Sequence, residues 1–250
     1  MPRLATTATD IGGPVVHSLS AGTVAHLPEV VLVPGLGVRG YLAPWARRIS
    51  ARTRSTLIDL PGGRWGRRHT CAPTVAAISA TVARWLELTD RDRVVRIGHS
   101  TGAQCVVRTA QLSPERVAGV VLFGPTFDPS VRDVLSLVSR SLTTFIREPL
   151  SEVPAAVSSL LRNGAVPLGR FVLDALHDRP EDVLATLSTP VLIMTGRVDG
   201  LAPPEWARQL ADLSAGRCVI LPGSHNACYS HVEQADSVLA SVMENWAGHQ

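Results

Sequence analysis

Val94-Val95-Arg96-Ile97-Gly98-His99-Ser100-Thr101-Gly102-Ala103 carries an apolar run straight into a segment with helical character, Ala103 to Leu112. The Gly98-His99-Ser100-Thr101-Gly102 core has the pattern Gly-x-Ser-x-Gly. Between a strand and a helix, that pattern marks a sharp turn with an exposed serine hydroxyl at its tip. Ser100 then occupies a strained backbone position. Side chains at 98 and 102 would collide with neighbouring backbone, so both must be very small. The five residues alone match many chains by chance. The strand before them and the helix after them give the pattern its weight.

Outward from this turn the chain alternates. Val15 to Leu19 has the pattern of a short edge strand, after a polar, Thr-rich and loosely held residues 1–13. Val30-Val31-Leu32-Val33 is an aliphatic run of the kind buried on both faces of a parallel sheet, and it ends at Pro34-Gly35-Leu36-Gly37. Pro44 to Arg52 predicts a short helix with proline in its first turn. Ser55 to Leu60 predicts a strand, closed by Pro61-Gly62-Gly63, and Thr74 to Leu88 a helix with apolar positions at Val75, Ile78, Val82, Trp85 and Leu86. Val117 to Phe123 is a further strand, ending at Gly124-Pro125. From 126 to 187 the rhythm breaks into helix-like segments punctuated by Pro149, Pro154 and Pro167. It resumes with the strand Val191 to Met194, the helix Pro204 to Leu213, the strand Cys218 to Leu221 and the helix Val232 to Trp246. The expected fold is α/β, a mostly parallel central sheet with helices on both faces. Residues 1–125 and 188–250 form its core domain, and 126–187 a helical cap or lid insertion.

Composition agrees and excludes. The chain has 250 residues, enough for one large α/β domain with an insertion. Hydrophobic residues make up 45%, ample for a core, while aromatics at 4% leave that core to Val, Leu, Ile and Ala. The net charge of +3 is scattered, without the basic and aromatic stripe that nucleic acid requires. Arg64, Arg67 and Arg68 form the one tight basic cluster, read as a solvated loop, with an anionic substrate group as the second reading. Cys71, Cys105, Cys218 and Cys228 match no zinc spacing and need no disulfides; Cys105 reads as a small core residue. No stretch has signal-peptide or membrane-spanning character, so the expectation is a cytoplasmic protein that binds neither nucleic acid nor membrane. The oligomeric state is left open.

Three chemically capable residues each follow the C-terminal end of an expected strand: Ser100, Asp199 in Gly196-Arg197-Val198-Asp199, and His225 in Gly223-Ser224-His225. Ligands of open parallel sheets bind along that edge. With the motif after the first buried strand, these features resemble the α/β-hydrolase-fold superfamily over nearly the full chain, in the order Ser, Asp, His. Relatives usually begin the first motif with His-Gly and end the last with Gly-His; here Pro34 and Ser224 stand at those places, and neither change removes a reacting atom.

The resemblance implies that Ser100 is the nucleophile, His225 its general base and then acid, and Asp199 the group that orients the imidazole. The backbone N–H groups of Leu36 and Thr101 face the developing oxyanion, and no metal or organic cofactor is required. Asp128 is the rival acid, and Asp199 is favoured by its Gly-x-x-Asp spacing. His231 is the rival base, read as a helix-end residue. His99 is read as a structural or pocket-edge residue. The implied activity is a serine hydrolase that cleaves an ester, lactone or thioester of a small to medium apolar substrate. Leu135, Val138, Phe145, Leu161 and Phe171 in the insertion are candidates for the pocket, although core packing also explains each. The same fold hosts carbon–carbon bond hydrolases, lyases, cyclases, cofactor-free haloperoxidases and small-molecule receptors, which stand as alternatives. Type II thioesterases also resemble the chain but carry Gly-His-Ser-Met-Gly and an early motif that it lacks.

Overall fold

Runs of Val, Ile and Leu long enough to be buried on two faces must pair with one another, and they do. The computed structural model describes residues 2–61 and 69–247. Gly62, Gly63 and the cluster Arg64, Arg67 and Arg68 lie outside the described residues. In chain order the elements are β1 (Ala5–Asp10), β2 (Val15–Ala21), β3 (Val30–Val33), α1 (Arg39–Ile49), β4 (Ser55–Asp59), α2 (Val75–Leu88), β5 (Val94–His99), α3 (Thr101–Leu112) and β6 (Val117–Phe123). They continue with α4 (Val134–Phe145), α5 (Val153–Asn163), α6 (Ala165–His177), α7 (Pro180–Leu184), β7 (Val191–Gly196), α8 (Pro204–Leu213), β8 (Arg217–Leu221), α9 (Ala227–Ser230) and α10 (Val232–Ala247). The sheet order is β1-β2-β4-β3-β5-β6-β7-β8. β1 and β2, and β2 and β4, run antiparallel; the other neighbours are parallel.

The period of two along each strand sorts side chains to two cores. Val31 and Val33 of β3, with Val191 and Ile193 of β7, face α2, α3 and α8 through Ile78, Trp85, Val106 and Leu210. Val30 and Leu32, with Leu192 and Met194, face α1 and α10 through Leu42, Trp45, Leu239 and Met243. Burying side chains of this size contributes about 1.5–3 kcal/mol each. The sheet is thereby a rigid platform for whatever its strand ends carry.

Two readings of the N-terminal half are corrected. The stretch expected to be loose holds a strand: β1 pairs with β2 over six residues, Ala5 to Asp10, so β1, and not β2, forms the edge. Its side chains are almost all exposed, and the strand is held by the ladder and by the turn, where the Asp10 carboxylate accepts from the amides of Gly12 and Gly13, both at 2.8 Å. The helix expected from Pro44 starts at Arg39, and Pro44 lies inside it. Tyr41, Leu42, Trp45, Ala46 and Ile49 give α1 a continuous buried face, and that burial outweighs the hydrogen bond lost at Pro44. Elsewhere Thr74 caps α2 by accepting from the Ala77 amide, 3.1 Å.

Among the described residues no strand interrupts the helical segment between β6 and β7. Polar contacts fasten it to the sheet's flanking elements. The Arg162 guanidinium reaches both carboxylate oxygens of Asp59 at the end of β4, 3.0 and 3.1 Å. Asp174 accepts from the Val75 amide at the start of α2, 2.7 Å, where the helix dipole favours negative charge. The Gln104 amide donates to the Ala175 carbonyl, 2.8 Å. No described helix is long and apolar enough to cross a membrane.

Candidate active site

Ser100 links β5 to α3 with φ 56° and ψ −127°, a conformation that costs on the order of 1–3 kcal/mol and persists only where the surroundings enforce it. Two close approaches enforce it. A Cβ added to Gly98 would stand 2.4 Å from the Gly102 carbonyl oxygen and 2.5 Å from Ala103 Cα. One added to Gly102 would stand 2.3 Å from the Val33 carbonyl oxygen. All these obstacles are backbone atoms that cannot swing aside. Gly98→Ala and Gly102→Ala are each expected to cost about 3 kcal/mol through overpacking. For a chain of this size that is a fall in Tm of roughly 10 °C by calorimetry; an unchanged Tm would show that the turn relaxes.

The sheet brings the three strand-end residues together. The Ser100 hydroxyl lies 2.9 Å from His225 Nε2, and His225 Nδ1 lies 2.8 Å from Asp199 Oδ2. The other Asp199 oxygen accepts from the amides of Leu201 and Ala202, both at 2.9 Å, so the carboxylate cannot rotate away. Burial pulls the His225 pKa down, but the charge and hydrogen bond of Asp199, with the charges of Glu148 and Glu152, together raise it above the ordinary histidine value. His99 packs its ring 5.2 Å from that of His225 and donates from Nε2 to the His225 carbonyl, 3.3 Å. Burial first, and the His225 charge second, hold His99 down at about 3, so it stays neutral beside His225. Asp128 is elsewhere: its carboxylate accepts from the Ser130 amide at 2.9 Å and from the Ser130 hydroxyl. His231 touches the Ser230 hydroxyl at 3.2 Å.

Leu36 and Thr101 are brought together too, with an unexpected contact. Leu36 has φ 48° and ψ 26°, and its N–H donates to the Thr101 side-chain hydroxyl, 3.0 Å. Its carbonyl accepts from Ser159 of α5, 3.0 Å. Leu36 is therefore held at its N–H by the residue after Ser100 and at its carbonyl, on the adjoining peptide, by the segment between β6 and β7. The Thr101 amide opens α3, where helix geometry provides no acceptor.

Ser100, His225 and Thr101 line a cavity of about 480 Å³ to which that segment also contributes wall residues. Its walls are mostly apolar, with Phe145, Leu150 and Val153 among them. Of the five apolar candidates named from sequence, Phe145 lines the cavity and Phe171 is a buried core residue. Leu135, Val138 and Leu161 are exposed. Sequence reasoning missed Tyr41, Glu148, Glu152 and Asn226, which also line it. Asn226 adjoins His225 and was the one detectable from position; the glutamates carried no motif. A second cavity of about 390 Å³ includes Glu29, Arg54 and Arg91, and Glu29 is paired there with both arginines. Among the described residues no group of three or more His, Cys, Asp or Glu is disposed to hold a metal ion.

Parallel strands feeding helices on both faces, with Ser, Asp and His converging at one strand edge, define an α/β hydrolase fold. A family model described as alpha/beta hydrolase fold matches residues 28–152, and the chain belongs to that family. The pimeloyl-[acyl-carrier protein] methyl ester esterase of Edwardsiella ictaluri is 29% identical over 87% of this chain and 92% of its own length. The enzyme of the same name from Methylococcus capsulatus is 27% identical over 76% and 83%. A solved structure of a thermophilic esterase from Thermogutta terrifontis superposes with a TM-score of 0.72, 20% identity, and coverage of 99% of this chain and 100% of that one.

Proposed function

We propose that the chain is a serine hydrolase that cleaves an ester, lactone or thioester of a small to medium, mostly apolar substrate. The observation that carries this reading is the unbroken hydrogen-bonded line from Ser100 through His225 to Asp199 at the wall of an apolar cavity. The esterase relatives support the choice of bond. As the Ser100 hydroxyl attacks the carbonyl carbon, His225 Nε2 takes its proton. Asp199 stabilises the resulting imidazolium and keeps Nδ1 protonated. The carbonyl oxygen becomes an oxyanion facing the Thr101 and Leu36 amides. A charged oxygen is a stronger acceptor than the Thr101 hydroxyl, so it takes over the Leu36 N–H. His225 then returns the proton to the leaving alcohol or thiol, and water repeats the cycle on the acyl-enzyme. In this reading residues 126–187 act as a cap that closes the cavity and fixes the Leu36 peptide through Ser159.

A fluorophosphonate probe tests the reading: it should label Ser100, and labelling should vanish in Ser100→Ala and fall sharply in His225→Ala. A folded protein that takes no label would refute it. pH dependence is a second test. His225 must be neutral to accept the proton, and its pKa is raised, so kcat/KM should rise with pH along a limb whose midpoint lies above 6.5. A limb centred below that value would contradict the assignment of His225. For stability the sign reverses. The folded state takes this proton more readily than the unfolded chain, so the contribution is full at acid pH and is lost as pH rises through the folded value.

A further inference from the structure

Most polar side chains on the wall of the Ser100 cavity are engaged by the protein itself. The Thr101 hydroxyl accepts from the Leu36 N–H, and the Ser159 hydroxyl donates to the Leu36 carbonyl, both at 3.0 Å. His99 is bonded to the His225 carbonyl. Glu148 and Glu152 hydrogen-bond each other and Asn226. Two lining hydroxyls form no hydrogen bond among the described residues, those of Tyr41 and Ser141. Ser141 is half-buried on α4, whose neighbouring Phe145 is 51% exposed, so solvent serves it.

Tyr41 is different. It belongs to α1, the helix that follows the Leu36 turn, and it is only 9% exposed. Its ring meets those of His99 and Tyr229 edge-on, with centroids 6.1 and 6.2 Å apart. His99 packs in turn against His225, so the tyrosine stands one ring removed from His225. Its hydroxyl oxygen is not sealed off, and the residue lines the cavity. A phenylalanine would make the same ring contacts. The hydroxyl adds only a desolvation cost unless something accepts from it. Burial, then the charges of Glu152 and Glu148, push the phenol above the ordinary tyrosine value, so it stays a donor. The same charges disfavour a carboxylate at this end, which leaves a neutral oxygen as the fitting acceptor.

We propose that the Tyr41 hydroxyl is a specificity determinant of the Ser100 cavity, donating a hydrogen bond to a neutral oxygen, an ether, carbonyl or hydroxyl, that the substrate carries a few bonds from the scissile group. This rests on the reading of Ser100 as the nucleophile. One placed polar contact in a mostly apolar pocket fixes which way a chain lies and how far it enters, which apolar walls do weakly. A substrate without that oxygen leaves the buried hydroxyl unpaired, so the contact discriminates by penalty as well as by attraction.

An oxygen scan tests it. Two series of esters of constant length, one varied in the acyl chain and one in the alcohol, replace a single methylene by an ether oxygen at successive positions. Each kcat/KM is divided by that of the all-carbon ester with the same protein. Dividing the wild-type ratio by the Tyr41→Phe ratio then cancels the inductive effect of the oxygen. At one position of one series this quotient should be about five, the size of a neutral hydrogen bond, and elsewhere about one. A quotient near one at every position of both series would overturn the proposal. The wild-type protein alone gives a second readout: sulfur in place of the favoured oxygen is a weak acceptor and should lose most of the gain. A thioether cleaved as well as the ether would overturn it too. Failure of the nucleophile reading is recognised separately, because then the wild-type protein cleaves no ester of either series. In that case calorimetry on the same esters decides: the position-specific quotient should appear in Kd, and a flat scan would overturn the proposal.

Discussion

Ser100→Ala should lower kcat/KM for an activated short-chain ester on the order of 10⁵-fold or more, the scale set by removing the nucleophile of a serine hydrolase. The variant removes one atom, the hydroxyl oxygen 2.9 Å from His225 Nε2. It keeps the Cβ, the strained φ of 56° and the close approach of Gly98 and Gly102, so the turn and the Leu36 and Thr101 amides stay in place. Residual turnover of about 10³–10⁴ over water would come from those amides and from binding. Steady-state kinetics on protein with an unchanged far-ultraviolet circular dichroism spectrum measures the effect. Activity within tenfold of wild type would place the reacting group elsewhere and dismantle the hydrogen-bonded line as a catalytic device.

The fold was legible wherever its cause is local. The β-branched runs at Val30 to Val33, Val117 to Phe123 and Val191 to Met194 are strands because nothing else buries such residues on two faces, and each became one. The Gly-x-Ser-x-Gly turn is legible because only glycine fits where Cβ atoms would meet backbone at 2.3–2.5 Å. Illegible features depend on pairing with, or burial by, other elements. β1 has no buried face to betray it and exists through its ladder to β2. The extension of α1 beyond Pro44 depends on burial of Tyr41 and Leu42 by other elements. Glu148 and Glu152 meet Asn226 across more than seventy residues of sequence. The Thr101 hydroxyl on the Leu36 amide spans 65 positions. The convergence of the strand-end residues Ser100, Asp199 and His225 was thus legible in motifs, whereas the contacts of Asn226 with Glu148 and Glu152 and the link from Ser159 to Leu36 arise from how the β6–β7 helices settle on the sheet.

On the proposed reading of Leu36 as an oxyanion donor, that link would give the segment between β6 and β7 a part in the chemistry. Ser159 donates to the Leu36 carbonyl, and Asn163 donates to the Ser159 hydroxyl, 3.0 Å. Because carbonyl and amide belong to adjoining peptides, the direction of the Leu36 N–H depends on where α5 lies. Arg162, one position from Asn163, holds α5 to Asp59, which Arg39 also contacts at 2.8 Å. The position of α5, the Leu36 peptides and the wall of the Ser100 cavity are in this way mechanically joined.

Asp199→Asn is expected to lower kcat/KM about 10⁴-fold, the scale of replacing the orienting acid in this kind of hydrogen-bonded line. The size follows from which atom lands where. Asp199 Oδ1 receives two backbone N–H groups, from Leu201 and Ala202, so an asparagine must turn its carbonyl oxygen to them. Its NH₂ then occupies the place of Oδ2, 2.8 Å from His225 Nδ1. An NH₂ can only donate there, so Nδ1 must present a lone pair and the ring proton moves to Nε2. Nε2–H cannot accept the Ser100 proton, and the base is lost although every heavy atom stays in place. The negative charge that stabilises the imidazolium is lost as well. Asp128→Asn gives the contrast. The Asp128 carboxylate caps the short turn Pro129–Val131 by accepting from the Ser130 amide, a contact an asparagine oxygen reproduces, and it touches none of the strand-end residues. Its kcat/KM should stay within about threefold of wild type, as for a surface substitution that keeps its cap. Measured side by side, a larger loss in Asp128→Asn than in Asp199→Asn would reassign the acid to the end of β6.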